Sequence, residues 1–154
     1  MKPLIIRGIE LRLGDLERII DNAEVQIGVD SKIIGRLNVS NAFLNKELDK
    51  KVIYGVNTGF GPMASHILGN NQILELQGNL IRSHAVGIGN PVEEKFVLAA
   101  MIVRINTLIQ GYSGVSEALI HQLQLFINQR IIPVVPEHGA VGTSGDLVQL
   151  AHIA

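Results

Sequence analysis

VEEKFVLAAMIVRINTLIQ, residues 92–110, is the stretch whose reading decides the fold. Its centre, FVLAAMIV, is apolar on every side, which marks a helix buried all round and therefore in need of helical neighbours. The run stops at Arg104, well short of the roughly 20 apolar residues that a bilayer requires. Before it, Ile73, Leu76, Leu80 and His84 recur at i, i+3, i+7 and i+11. That spacing predicts a helix over 71–84 with the stripe inward, ending at the glycines and proline of 87–91. After it, Leu119, Leu123 and Phe126 line one face of a helix from Ser116 to Asn128 that must stop before Pro133.

Farther out the chain is more mixed. Leu4–Ile6 and Val25–Ile27 read as short strands, Gly14-Asp15 opens a helix through Ile20, and a second helix covers Ser31–Leu48. KVIYGVNTGFGPMA, residues 51–64, starts as a β-favouring run and then breaks into a segment too rich in glycine, with Pro62, for any regular element. The tail PEHGAVGTSGDLVQLAHIA is a glycine-rich loop leading into a last helix. The fold class is therefore mainly α, with a few short strands near the N-terminus. Residues 1–154 read as one continuous domain without repeats or linkers. An apolar helical end without a C-cap is what the front part of a longer protein would present.

Composition excludes several functions. The 154 residues are 47% hydrophobic and 18% charged, with 13 Lys plus Arg against 14 Asp plus Glu and a formal charge of -1. A chain so balanced has no basic field for nucleic acid or anionic lipid. The absence of cysteine leaves no disulfide, thiolate nucleophile or Cys-ligated metal and suits the cytoplasm. Leu4–Ile6 before Arg7 is too short for a signal-peptide core.

Short motifs mostly fail on context. Gly59-Phe60-Gly61-Pro62-Met63-Ala64 fits a relaxed dinucleotide pattern, but NLIRSHA stands where the ribose-binding acid belongs. Neither Ser113 in GYSGV nor Ser144 in GTSGD completes GxSxG. The five histidines, His66, His84, His121, His138 and His152, form no i, i+4 pair, so no metal is expected. Thr143 to Asp146, by themselves, read as an acidic variant of a capping box at the start of the last helix.

Four longer segments taken together resemble the histidine and aromatic amino acid ammonia-lyases. They are VIYGVNTGFGPMA at 52–64, LQGNLIRSHAVGIG at 76–89, RINTLIQGYSGV at 104–115 and PEHGAVGTSGDLVQLAHIA at 136–154. The resemblance covers nearly the whole chain. It implies that Thr143-Ser144-Gly145 forms the electrophile 4-methylidene-imidazol-5-one (MIO), with no metal or nucleotide. Gly145 nitrogen attacks the carbonyl of the first residue, and Ser144 loses water to leave an exocyclic methylene. Glycine supplies the least hindered nitrogen and permissive dihedrals. The family's usual tripeptide is Ala-Ser-Gly, so Thr143 is a departure. Its carbonyl still suffices for the ring, but a β-branched side chain narrows the dihedrals before closure, and slower or altered maturation is expected.

The same resemblance implies that Tyr54 takes a proton from the substrate's β-carbon while Asn57, Gly59 and Gly61 shape its loop over the site. A phenol of pKa near 10 needs a hydrogen bond or positive charge to act so. Read without the family, Tyr54 is a residue packed at a strand end. Ser83 and His84 stand where family members contact the substrate side chain, and a Ser-His pair resembles the histidine enzymes. An imidazole can also bond a phenol, and the lesser reading of His84 is a satisfied histidine closing a helix face.

The resemblance thus implies elimination of ammonia from L-histidine to urocanate, with a tyrosine or phenylalanine lyase or an aminomutase as alternatives. It also implies a small amino acid substrate and a homotetramer at full length, with no nucleic acid or membrane partner. The 154-residue piece is expected to be inactive alone and to expose apolar faces such as Ala99–Val103. A non-catalytic scaffold, in which Thr143 prevents ring closure, is the reading of a different class.

Overall fold

The computed structural model describes residues 3–142 and 147–154. In chain order its elements are β1 (Leu4–Ile6), α1 (Leu13–Asp21), β2 (Ile27–Val29), α2 (Ser31–Glu47), α3 (Asn70–His84), β3 (Ile88–Pro91), α4 (Glu94–Leu108), α5 (Glu117–Asn128), β4 (Pro136–His138) and α6 (Leu147–Ile153). About half of the described residues are helical, so the fold is mainly α. Thr143, Ser144, Gly145 and Asp146, with their tripeptide and capping-box readings, lie outside the described residues. The chain forms two compact units, Met1–Leu44 with Val92–Pro133 and Asn45–Pro91 with Val134–Ala154.

The first unit is built on α4. Val97, Leu98, Met101, Ile102, Ile105 and Leu108 are buried, a spacing of i, i+1, i+4, i+5, i+8 and i+11 that forms one broad stripe. Against it pack α1 and α5. Each such side chain taken fully out of water contributes about 1.5–3 kcal/mol before entropy is counted. β1 and β2 pair in parallel, with Leu4 opposite Ile27 and Ile6 opposite Val29. The far edge of β2 is closed by an amide: Asn128 Oδ1 accepts from Ile27 N–H at 2.8 Å, and Asn128 Nδ2 donates to Ile27 C=O at 3.0 Å. This side chain takes the place of a neighbouring strand at Ile27. Arg130, at a positive φ of 55°, donates Nη2 to the carbonyls of Ile19 and Asn22. It thereby caps the end of α1, whose last carbonyls have no partner inside the helix.

The second unit contains α3, the loop after α2, the strand pair and α6. β3 and β4 run antiparallel with Ile88 opposite His138 and Pro91 opposite Pro136, across an irregular register. The stripe of α3 is placed as its period predicts: Ile73, Leu76, Leu80 and His84 are half-buried while their neighbours are mostly exposed.

Three expectations are corrected. α4 is not buried all round, since Phe96 and Val103 are 56% and 45% exposed. Its packed neighbours among the described residues cover one face only. On α5 the buried residues are Ile120, Leu123 and Ile127, with Leu119 exposed and Phe126 half-buried. The stripe is rotated by one position because Asn128 must face β2. The strands are not confined to the N-terminus. Gly87–Pro91 ends α3 as its glycines and proline suggest, but most of it then becomes β3 by pairing with a segment far along the chain.

Candidate active site

The loop after α2 is organised by buried polar side chains. Asn57 is 5% exposed and Thr58 0%. Asn57 Oδ1 accepts from Ile53 N–H at 2.7 Å, while Nδ2 donates to the carbonyls of Leu48 at 2.9 Å and Lys51 at 2.8 Å. Thr58 Oγ1 accepts from Gly55 N–H at 3.2 Å and donates to Gly59 C=O at 2.8 Å. A loop with so few apolar contacts obtains its shape from these directional bonds, because every buried N–H and C=O requires a partner. Thr58 pairs with Ile67 in an isolated bridge, so the loop returns on itself around the 3-10 turn Gly61–Met63.

Glycine is required at two points of that return. A Cβ on Gly59 would stand 2.6 Å from Met63 Cβ and 2.7 Å from Met63 O. Gly61 has a φ of +54°, a region that costs other residues about 1–2 kcal/mol. The result bears on Tyr54. Its ring is 63% exposed and meets Phe60 edge-on at 5.9 Å. Its hydroxyl oxygen accepts a hydrogen bond from Gly61 N–H at 3.3 Å. That bond fixes where the oxygen sits over the loop. Gly61 was expected only to shape the loop, and its role as a donor follows from the return of the chain, which no local pattern in the sequence encodes.

Ser83 and His84 close α3. Ser83 Oγ donates to Leu80 C=O at 3.0 Å and lies 3.1 Å from His84 Nδ1. His84 Nδ1 is also 2.8 Å from Leu80 C=O. A carbonyl only accepts, so in the neutral ring Nδ1 carries the proton and Nε2 is left as an acceptor. The tautomer is therefore set by the helix itself. No hydrogen bond among the described residues joins Ser83 or His84 to the Tyr54 loop, although both belong to the second unit.

α6 follows the 143–145 tripeptide in sequence. Its His152 accepts Gly87 N–H on Nε2 at 3.1 Å, and Gln149 Oε1 is buried without a partner among the described residues. Neither residue was singled out for a role. Among the described residues no cluster of three or more His, Asp or Glu side chains is placed to hold a metal ion, and no helix is long and apolar enough to cross a membrane.

Comparison with known proteins interprets this arrangement. The family model for aromatic amino acid lyases matches residues 11–154. The chain belongs to that family. It is 39% identical over 152 residues to a histidine ammonia-lyase of Macrococcus caseolyticus, covering 98% of this chain and 30% of the relative. Among solved structures, the ergothionase of Treponema denticola, an ergothioneine-degrading enzyme, superposes with a TM-score of 0.92 at 27% identity, over 99% of this chain and 30% of that one. The tyrosine aminomutase of Streptomyces globisporus gives 0.86 at 29% identity, over 99% and 28%. The chain thus spans about 30% of the length of the curated relatives it matches. The family is one of lyases.

Proposed function

We propose that this chain carries the front part of a cytoplasmic, homotetrameric ammonia-lyase that converts L-histidine to urocanate. The observation that carries the reading is the hydrogen bond from Gly61 N–H to the oxygen of Tyr54, in a family member 39% identical to a histidine ammonia-lyase. The tripeptide Thr143-Ser144-Gly145 would hold the MIO group, which when formed supplies an electrophile that makes the substrate's amino group able to leave. The sequence has the residue types that group requires: a hydroxyl to lose at Ser144 and the nitrogen of a glycine at Gly145.

The remaining work falls to side chains. Tyr54, its oxygen held by Gly61 N–H, is the base for the β-proton. General-base contributions of this kind are worth about 10²–10⁴-fold. The Nε2 of His84 receives a donor from the substrate side chain, an imidazole N–H in histidine. Tyrosine offers a phenol O–H to the same atom, and the structural likeness to a tyrosine aminomutase keeps tyrosine lyase or aminomutase chemistry as the second reading. Phenylalanine offers no donor and suits this site least.

A tryptic mass map of the full-length protein tests the reading. The peptide containing Thr143-Ser144-Gly145 is expected to be lighter by two waters, about 36 Da. Absorbance in the MIO band, quenched by borohydride, should accompany it. An unmodified mass in the folded tetramer would replace the lyase reading with a non-catalytic scaffold in which Thr143 prevents ring closure. With the group formed, Tyr54→Phe is expected to lower kcat by about 10²-fold or more, and release of urocanate from histidine against coumarate from tyrosine decides the substrate.

A further inference from the structure

The second unit contains a contact that neither the tyrosine loop nor the substrate pair explains. His152 lies on α6, which starts two residues after Gly145, and its Nε2 accepts Gly87 N–H at 3.1 Å. Gly87 is three residues beyond His84, just past the end of α3. The approach is close: a Cβ on Gly87 would stand 3.0 Å from both His152 Nε2 and Pro136 Cβ. One turn earlier on α6, Val148 packs against Gly139, where a Cβ would stand 2.7 Å from Val148 Cγ1. Two glycines therefore let α6 settle against β3, β4 and the end of α3.

We infer that His152 is a positioning residue that fixes the segment carrying Thr143-Ser144-Gly145 relative to the Ser83-His84 pair. This rests on the function proposed above, in which the tripeptide engages one end of the amino acid and Ser83-His84 the other. Two groups that hold opposite ends of one small molecule must keep a fixed separation, because a misplacement of about 1 Å can cost about 10²-fold in rate. A direct hydrogen bond between a side chain of one segment and the backbone of the other sets that separation. The bond also defines the ring: a nitrogen that accepts from an N–H carries no proton, so neutral His152 holds its proton on Nδ1.

The test uses the full-length protein with His152→Leu and His152→Gln. Glutamine Oε1 reaches as far as the imidazole Nε2 and can accept the same N–H, whereas leucine fills space without accepting. Hydrogen exchange at the Gly87 amide reads the bond without reference to catalysis. It is expected to accelerate about tenfold or more in His152→Leu and to stay near the parent rate in His152→Gln. Kinetics with the preferred substrate should show kcat reduced about tenfold in His152→Leu with KM changed by less than about threefold, and glutamine should recover most of kcat. Unchanged Gly87 exchange in His152→Leu overturns the inference. So does an equal loss of kcat in both variants, which would reduce His152 to filling space. The two-water mass loss is measured on the same samples. Its absence from the parent protein tells against the proposed lyase, while altered Gly87 exchange still establishes the tie between the two segments.

Discussion

In the first unit Ile102 and Ile105 are fully buried on a helix packed against α1 and α5, whereas in the second unit the residues hidden from water include Asn57 and Thr58. Among the described residues, every buried apolar side chain except Val135 belongs to the first unit. Apolar packing is strong and nondirectional, so it holds helices together while tolerating small shifts of one against another. Hydrogen bonds from a side-chain amide are individually weaker but fix distance and direction, and a backbone N–H aimed at Tyr54 oxygen needs direction more than strength. The comparison teaches that stability and site geometry are supplied in different places, and that each can be disturbed separately.

The largest effect is expected where apolar packing dominates. Ile105→Ala removes buried methyl groups from the centre of α4 and should cost about 2–5 kcal/mol, read as a lower denaturant midpoint with faster amide exchange along α1, α4 and α5. Exchange in the Tyr54 loop should change less. Equal acceleration in both units would break the distinction drawn between them.

Next in size is Asn57→Ala. It leaves Ile53 N–H and the carbonyls of Leu48 and Lys51 without their amide partner. Each buried group left unsatisfied costs about 1–3 kcal/mol, partly recovered where water enters. The expected signature is local: rapid exchange at Ile53 and a Tyr54 ring no longer fixed against Phe60, with the α4 amides little altered. A pair of glycine variants sharpens the point. Gly59→Ala drives a methyl into Met63 backbone and should cost about 1–3 kcal/mol. Gly61→Ala meets nothing within 4 Å and carries only the strain of its positive φ, about 1–2 kcal/mol. If Gly61→Ala were the more damaging of the two, the close approach of Met63 would not be what requires glycine at 59.

These magnitudes also explain what could be read from the sequence. α1 to α5 announce themselves through spacing, caps and breakers, because helix contacts repeat every three or four residues; the stop of α3 at His84 and the start of α5 after Ser116, whose Oγ accepts from Leu119 N–H, are legible for that reason. The roles of Tyr54, Ser83 and His84 come from a family likeness; the bonds of Ser83 and His84 to Leu80 are local to the helix, whereas no local pattern predicts that of Tyr54. What remained hidden is non-local. β3 exists only because residues 88–91 meet 136–138, Asn128 faces Ile27 from about a hundred positions away, and Gly87 meets His152 across 65. Such contacts leave no period in the chain. The one-sided burial of α4 was hidden for a different reason: hydropathy states what a face would prefer, whereas exposure depends on which neighbours are present.

The smallest expected effect sets a limit on how far the first unit depends on apolar packing. Glu117 on α5 accepts from Asn38 Nδ2 of α2 at 2.8 Å and pairs with His121 Nε2 at 3.1 Å. The bond from Asn38 first, then that from His121, holds its carboxyl below the ordinary value, against a small opposing effect of burial. The folded value is therefore lower than the unfolded one. The linked stability is fully present above the unfolded value, about 4.3, and is lost as pH falls through the lower folded value. Glu117→Gln cannot titrate, so its denaturant midpoint should fall less steeply than the parent's between about pH 5 and about pH 3, with little difference near neutrality. Because the carboxylate is reached by water, competition for its hydrogen bonds keeps the difference small. Parallel acid limbs for parent and variant would show that the charge of Glu117 adds nothing to its bonds with Asn38 and His121, and a difference as large as that of Ile105→Ala would show a directional bond ruling in the unit where packing is expected to dominate.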